Sequence, residues 1–306
     1  MVENQRTLKK SYNFEGKGLH TGKHVKMSFH PAPINTGVVF LRTDISDDAY
    51  IKASIEYVTH TQRGTTLEKG NIKISTLEHV LSTFVGLGID NVLVKVDQSE
   101  VPIVDGSAQP FVEAIMKDGL LDQDAERLYY KIEKEIKVKD EESGAELVIS
   151  PADSFSIDLI ADYNSKILGI QKVHYDDATD FVTEIAPCRT FVFFNELEFL
   201  FQNNLIKGGD LENAIVIVEK PVPQDYLDKL AKLFNVDRVE RVSEGYLDNI
   251  KLRFPDECGR HKLLDVLGDF GLLGHRIKGK ILANKTGHRL NTTAAKIILE
   301  QAVLTK

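Results

Sequence analysis

A chain of 306 residues, 42% hydrophobic and 27% charged, is long enough for one large or two ordinary globular domains, and its composition excludes the disordered, collagenous and fibrous classes. Lys plus Arg number 38 against 46 Asp plus Glu, a net charge of −8, which argues against a surface built to grip nucleic acid and leaves only a local basic pocket for a phosphate. No run approaches the roughly 20 apolar residues that span a bilayer, the start MVENQRTLKK has no signal-peptide core, and Cys188 and Cys258 make neither a disulfide framework nor a CxxC pair. A cytoplasmic protein is expected, with His and carboxylate as the ligands of any metal.

In chain order, VKMSF (25–29), GVVFLR (37–42) and VLVKV (92–96) read as strands and STLEHVLSTFVG (75–86) as a helix. PIVDGSAQPF (102–111) reads as a turn with Asp105-Gly106 at its centre and Ser107 as a candidate N-cap, opening a helix over FVEAIMKDG (111–119). The charge-rich Leu121–Arg127 is the best linker candidate and divides the chain into an N-terminal domain, 1–126, and a C-terminal domain, 127–306. Alternation resumes beyond it, with Ile132, Ile136 and Val138 on one side of the first run and Phe155, Ile157 and Leu159 on one side of the next. A helix is expected around 194–204, a strand at 214–219, a charged stretch over 220–253, a helix at 260–274 and a closing helix from about Asn291. Both halves mix strands and helices without a residue-level repeat, so the class is α+β or α/β in two parts.

His261 and Asp265 stand one helical turn apart on one face, a spacing that suits a metal ion, and Asp269 continues the row. Taken alone, such a pair is more often an ordinary surface pair than a ligand set. Glu78 and His79 fall mid-helix between Leu77 and Val80, where burial is costly unless the groups are paired or metal-bound; pointing to solvent is the equal alternative. His288 lies in KTGHRL (285–290), a Gly-punctuated turn before the last helix, where a solvated loop histidine is the simple reading. His20, His24, His30, His60, His174 and His275 lack comparable partners and are read as structural or surface residues. Two histidines and one aspartate make a three-ligand zinc site with an open position, the arrangement of catalytic zinc, which points to a hydrolase with a neighbouring Glu as base and a second acid such as His288. HExxH, the mark of another zinc hydrolase class, is absent.

STLEHVLSTFVGLGIDN (75–91), VPIVDGSAQPF (101–111), RHKLLDVLGD (260–269) and KTGHRLN (285–291), with CRTF (188–191) and GGDLENAIVIV (208–218) between them, closely resemble the UDP-3-O-acyl-N-acetylglucosamine deacetylase family over essentially the whole chain. The resemblance implies an α+β fold of two domains, each a layered β-sheet and helix pair, with the active site at their interface. It also implies a cytoplasmic enzyme that removes acetate from UDP-3-O-acyl-N-acetylglucosamine in the committed step of lipid A synthesis. Carried over by position, His79, His261 and Asp265 would bind Zn2+, with Fe2+ as the alternative metal. Glu78 would be the general base, His288 the protonated acid, Asp269 its orienting partner, and Thr190 a donor to the oxyanion. Lys262 would meet the diphosphate, Phe191 the sugar and Tyr163 the uracil, while Leu197, Ile206 and Leu211 would line an acyl passage. Core packing is an equal reading for each of those three apolar residues. The charged stretch between Glu219 and Phe254 is longer than in many members and lies outside the motifs, so it bears on acyl selectivity and partners rather than on chemistry. Some members are fused to a C-terminal acyl-carrier-protein dehydratase. The competing classes are a non-catalytic metal or nucleotide-sugar binding protein, against which Glu78 and His288 argue, and a zinc amidase of another family.

Overall fold

The computed structural model describes residues 3–202, 207–210, 212–234, 237–239, 245–247 and 250–306. Five strands of the first half, Tyr12–Lys17, His24–Pro31, Val92–Val96, Val38–Arg42 and Tyr50–Lys52, lie side by side in that order. Val92–Val96 is central, antiparallel to His24–Pro31 and parallel to Val38–Arg42, so that Val94 faces both Phe29 and Phe40. Alternate residues along these strands, Val92, Val94, Val96, Met27 and Phe29, are buried, as period-two patterning requires of a half-covered sheet. Helices Glu78–Leu87 and Gln109–Met116 cover that face, where the Phe29 ring lies 5.0 Å from Phe84 and 5.6 Å from Phe111. A three-stranded meander, Val58–His60, Thr66–Lys69 and Ile72–Ser75, leads directly into the first of these helices.

Two expectations change here. The segment read as a linker is a strand, Leu120–Glu126, antiparallel to Asn4–Leu8, and its charges are those of an exposed ribbon whose partner lies far back in the chain. Arg127 then anchors the junction, with Nε 2.9 Å and Nη2 2.8 Å from the two oxygens of Asp90. Glu78 and His79 stand at the start of their helix rather than in its middle, because Ile72–Ser75 is extended and Thr76, at φ 62°, turns the chain before the helix begins.

In the second half Arg276–Asn284 is the central strand of a seven-stranded sheet. It runs antiparallel to Glu146–Ser150 and parallel to Phe155–Asp162 and Tyr129–Lys131, with Ile136–Lys139, Ile170–Asp176 and Val303–Thr305 outside them. Helices Glu257–Phe270 and His288–Gln301 cover it, burying Leu263, Leu264, Val266, Ala294 and Ile298 in a core continuous with that of the first half. The architecture is α+β. The last helix starts at His288, ahead of the expected Asn291, so His288 occupies a helical first turn rather than a loop.

A smaller apolar cluster lies apart from this core. Strand Phe191–Phe193 pairs with Ile215–Ile217, and helix Phe194–Gln202 follows it. The charged stretch contributes an amphipathic helix, Gln224–Phe234, whose Leu227 and Ala231 are buried against Leu197, Leu200, Val216 and Val218.

One crossing aligns the candidate site. Helix Glu257–Phe270 passes over the start of helix Glu78–Leu87 at Gly268, where a Cβ would lie 2.2 Å from the Glu78 carbonyl oxygen. Only a residue without a side chain admits that approach, and it places Glu78 and His79 opposite Asp265 and Asp269.

Candidate active site

The nitrogen and oxygen donors of His79, His261 and Asp265 all lie within 4.8 Å of one another, and all three residues are buried. His261 Nδ1 is 3.0 Å from the Cys188 carbonyl oxygen, which can only accept, so Nδ1 carries the proton and Nε2 is left with its lone pair. That Nε2 is 3.4 Å from Asp265 Oδ1, and the His79 ring stands edge-on to His261 with centroids 5.0 Å apart. Burial, reinforced by His261, pushes the His79 imidazole down to about 3, and burial also lowers His261, so both rings are held neutral, the form that binds metal. Burial alone would raise Asp265, but the Lys262 ammonium 2.6 Å from its Oδ2, together with the facing histidines, holds it below the usual carboxylate range. Asp265 Oδ1 is buried and has no hydrogen-bond partner among the described residues. Two neutral imidazoles and one carboxylate with an unsatisfied oxygen fit a divalent metal ion with an open coordination position.

Around this donor set lie an acid and a base. His288 Nδ1 donates to Asp269 Oδ2 at 2.9 Å, and its Nε2 is 3.9 Å from Glu78 Oε1 and 4.0 Å from Asp265 Oδ2. Burial works against its charge, yet Asp269 and Glu78 raise it from 6.5 to about 10, so it is an imidazolium at neutral pH. Glu78 is pushed up by burial and pulled back by His288. Thr65 ties the two together: its N–H donates to Glu78 Oε2 at 3.0 Å and its hydroxyl to Asp269 Oδ1 at 2.6 Å, while the Asn291 amide donates to Asp269 Oδ2 at 2.7 Å.

Glu78, His79, His261, Asp265 and His288 line a cavity of about 240 Å³ together with Thr190, Phe191 and Tyr163. The Tyr163 ring stands 5.3 Å from Phe191 and 5.9 Å from Phe193, and Lys262 Nζ sits 5.5 Å over the Phe191 ring. Leu200 lines the same cavity, whereas Leu197 is 2% exposed within the small apolar cluster and does not. Ile206 and Leu211 fall outside the described residues. A larger crevice of about 630 Å³ opens at the other end of the helix pair among Leu81, Phe84, Phe270 and Arg276. None of the acid, base or donor groups lines it, so volume does not select the site; the buried titratable cluster does.

Several contributors gave no chemical signal in the sequence, although Asn291 closes KTGHRLN and Cys188 opens CRTF. Thr65, Asn291 and the Cys188 carbonyl belong to no spacing pattern. His20, read as structural or surface, lines the cavity, as do Arg63 and Glu196, which pair with each other at 3.1 Å. They come from separate loops and helices, and only the fold brings them together.

The family model described as UDP-3-O-acyl N-acetylglycosamine deacetylase, LpxC, matches residues 5–228 and 237–300. The chain belongs to the LpxC family. The unmatched break falls in the charged stretch, away from every donor above. Among curated relatives, the bifunctional enzyme LpxC/FabZ of Porphyromonas gingivalis is 42% identical over 300 residues, covering 98% of this chain and 65% of its own. The enzyme of the same name from Bacteroides thetaiotaomicron is 43% identical over 292 residues, covering 95% and 63%. The UDP-3-O-acyl-N-acetylglucosamine deacetylase of Chromohalobacter salexigens is 39% identical over 300 residues, covering 97% and 90%. The chain thus spans just under two thirds of the length of the two-function relatives. No helix among the described residues is long and apolar enough to cross a membrane.

Proposed function

We propose that this LpxC-family protein is a zinc-dependent deacetylase that hydrolyses the acetamide of UDP-3-O-acyl-N-acetylglucosamine to acetate and the free amine, a step of lipid A biosynthesis in the cytoplasm. The observation that carries the reading is a His–His–Asp donor set sharing one cavity with a buried carboxylate and a charged histidine. His79, His261 and Asp265 would hold the zinc, or ferrous iron in its place. When bound there, the ion supplies Lewis acidity, polarising the amide carbonyl and bringing the pKa of water to about 7.

The protein's own groups do the rest. Glu78, its basicity raised by burial, takes the proton from the attacking water. The Thr190 hydroxyl, lining the same cavity, donates to the carbonyl oxygen as negative charge develops on it. His288 gives its proton to the departing nitrogen, and the carboxylate of Asp269 keeps the ring oriented and charged until that moment. The amide C–N bond breaks, acetate keeps the water oxygen, and the amine leaves with the proton from His288. Phe191 and Tyr163 offer aromatic faces to sugar and base, and Lys262 offers a cation to the diphosphate, exchanging its present partner Asp265 for it. The acyl chain would enter beside Leu200, toward the apolar cluster that holds Leu197.

We place the domain boundary at 126/127, supported by the pairing of Leu120–Glu126 back onto Asn4–Leu8, and the reaction between the two domains. The names of the two-function relatives support a natural protein extended by a dehydratase unit. The test is acetate release from UDP-3-O-acyl-N-acetylglucosamine before and after chelation, with zinc or iron restored. Release that stops on chelation and returns with metal is expected. No release from protein carrying stoichiometric zinc would reject the reading in favour of a non-catalytic binding protein.

A further inference from the structure

We propose that Glu257 is a positioning residue for the metal centre: it clamps one side of the Cys188–Arg189 peptide so that the other side fixes His261 with Nε2 turned toward the metal. The proposal rests on the reading of His261 as a ligand.

The Glu257 carboxylate is wholly buried and receives four N–H groups. Arg189 supplies its backbone N–H at 3.1 Å, Nε at 2.8 Å and Nη2 at 3.2 Å, and the Arg253 backbone N–H comes within 2.6 Å. Arg189 is in turn held by the Lys251 carbonyl at 2.7 Å. The decisive geometry lies in a single peptide unit. The N–H that donates to Glu257 and the carbonyl that accepts from His261 Nδ1 belong to the same bond, between Cys188 and Arg189. There are no cis peptides among the described residues, and in a planar trans peptide the N–H and C=O point in opposite directions.

That peptide is therefore a rigid strut between two side chains of one helix. Glu257 precedes His261 by one helical turn, so both face the loop, one bonded to each end of the strut. Two effects on the ligand follow. Fixing the carbonyl fixes which imidazole nitrogen carries the proton, and hence which one is free for metal. An anionic acceptor on the N–H also polarises the peptide, strengthening its carbonyl as an acceptor and enriching Nε2. Thr190, the next residue, reaches the cavity from the same clamped loop. Neither Glu257 nor Arg189 lines the cavity, and besides the field of its charge on the ring, Glu257 reaches His261 through this strut.

The test compares wild type with Glu257→Gln, an isostere that loses the charge and turns an amide N–H2 toward donors. Two readouts need no substrate: zinc affinity by chelator competition, and the 15N shifts of the His261 ring in folded, metal-free protein. Zinc affinity is expected to fall about ten-fold or more, as for loss of an outer partner of a ligand, and His261 should become a mixture of tautomers. Unchanged zinc affinity with an unchanged Nδ1–H tautomer would overturn the proposal. Should Glu257→Gln fail to fold, Glu257→Asp keeps the charge for Arg189 but withdraws the carboxylate by one methylene from the peptide N–H, and the same two readouts decide. Arg260→Gln breaks the partly exposed pair with Asp256 at 2.8 Å on the same turn and should move neither readout. If it moves both as far as Glu257→Gln does, general loosening of the helix explains the effect and the proposal fails. Because substrate is absent throughout, an intact Glu257 effect without acetate release would reject the deacetylase reading alone.

Discussion

Replacing Gly268 by alanine separates the two helices that carry the candidate metal ligands. A Cβ at 268 would stand 2.2 Å from the Glu78 carbonyl oxygen, 2.8 Å from its carbon and 2.9 Å from its Cα. The closest of these is more than 1 Å inside the roughly 3.5 Å of ordinary contact. All three are backbone atoms, so no rotamer change relieves the overlap. Helix propensity alone would favour alanine by about 1 kcal/mol. Overpacking of a dense core costs about 1–3 kcal/mol, and a clash with fixed backbone belongs at the upper end, so a net destabilisation of roughly 1–2 kcal/mol is expected. The relief must come from moving Glu78, and His79 with it, by on the order of 1 Å, whereas metal sites hold their distances to about 0.2 Å. Zinc affinity should therefore fall by a larger factor than global stability predicts. Urea unfolding of the metal-free protein and chelator competition measure the two quantities. A variant as stable as wild type that binds zinc equally well would refute the view that this crossing sets the ligand geometry.

Glu78→Gln should keep zinc at full stoichiometry and lower turnover by about two or more powers of ten, as for loss of a general base; near-normal turnover removes Glu78 from that role. His261→Ala should lose metal together with activity, and metal retained at full stoichiometry in the purified variant would exclude it as a ligand. For His288, raised from 6.5 to about 10, the imidazolium stabilises the fold fully below about pH 6.5, and that contribution disappears as pH climbs toward 10. Asp269→Asn removes the largest upward influence on that ring, so the unfolding free energy of the metal-free variant should change less between those pH values than that of wild type. Parallel pH profiles for the two proteins would contradict the assignment.

Much of this protein is legible along the chain because its signals are local. The alternation in VLVKV and the helical spacing of LLDVLGDF follow from which faces must be dry, and both elements form where expected. The one-turn spacing of His261, Asp265 and Asp269 is likewise a property of helix geometry, and the adjacency of Glu78 and His79 is covalent. Local signals misled where a distant partner decided. Leu121–Arg127 has the composition of a linker, and only Asn4–Leu8 makes it a strand. Composition showed the charge of 220–253 but not that Leu227 and Ala231 would bury one face of a helix there.

What the sequence determined by itself is the inventory: two imidazoles, three carboxylates and an acid histidine, all but the last read on helices whose apolar residues commit them to a core. What only tertiary structure decided is their meeting. Gly268 lets two helices cross closely enough to bring Glu78 and His79 to Asp265, Thr65 joins the base to the partner of the acid, and the Cys188–Arg189 peptide links Glu257 to His261. Burial then holds His79 neutral, while Asp269 and Glu78 keep His288 charged against the cost of its own burial; the same residues apart in water would leave the first free to protonate and the second free to lose its proton. Reactivity here depends on distance and desolvation, and neither is a property of residue order.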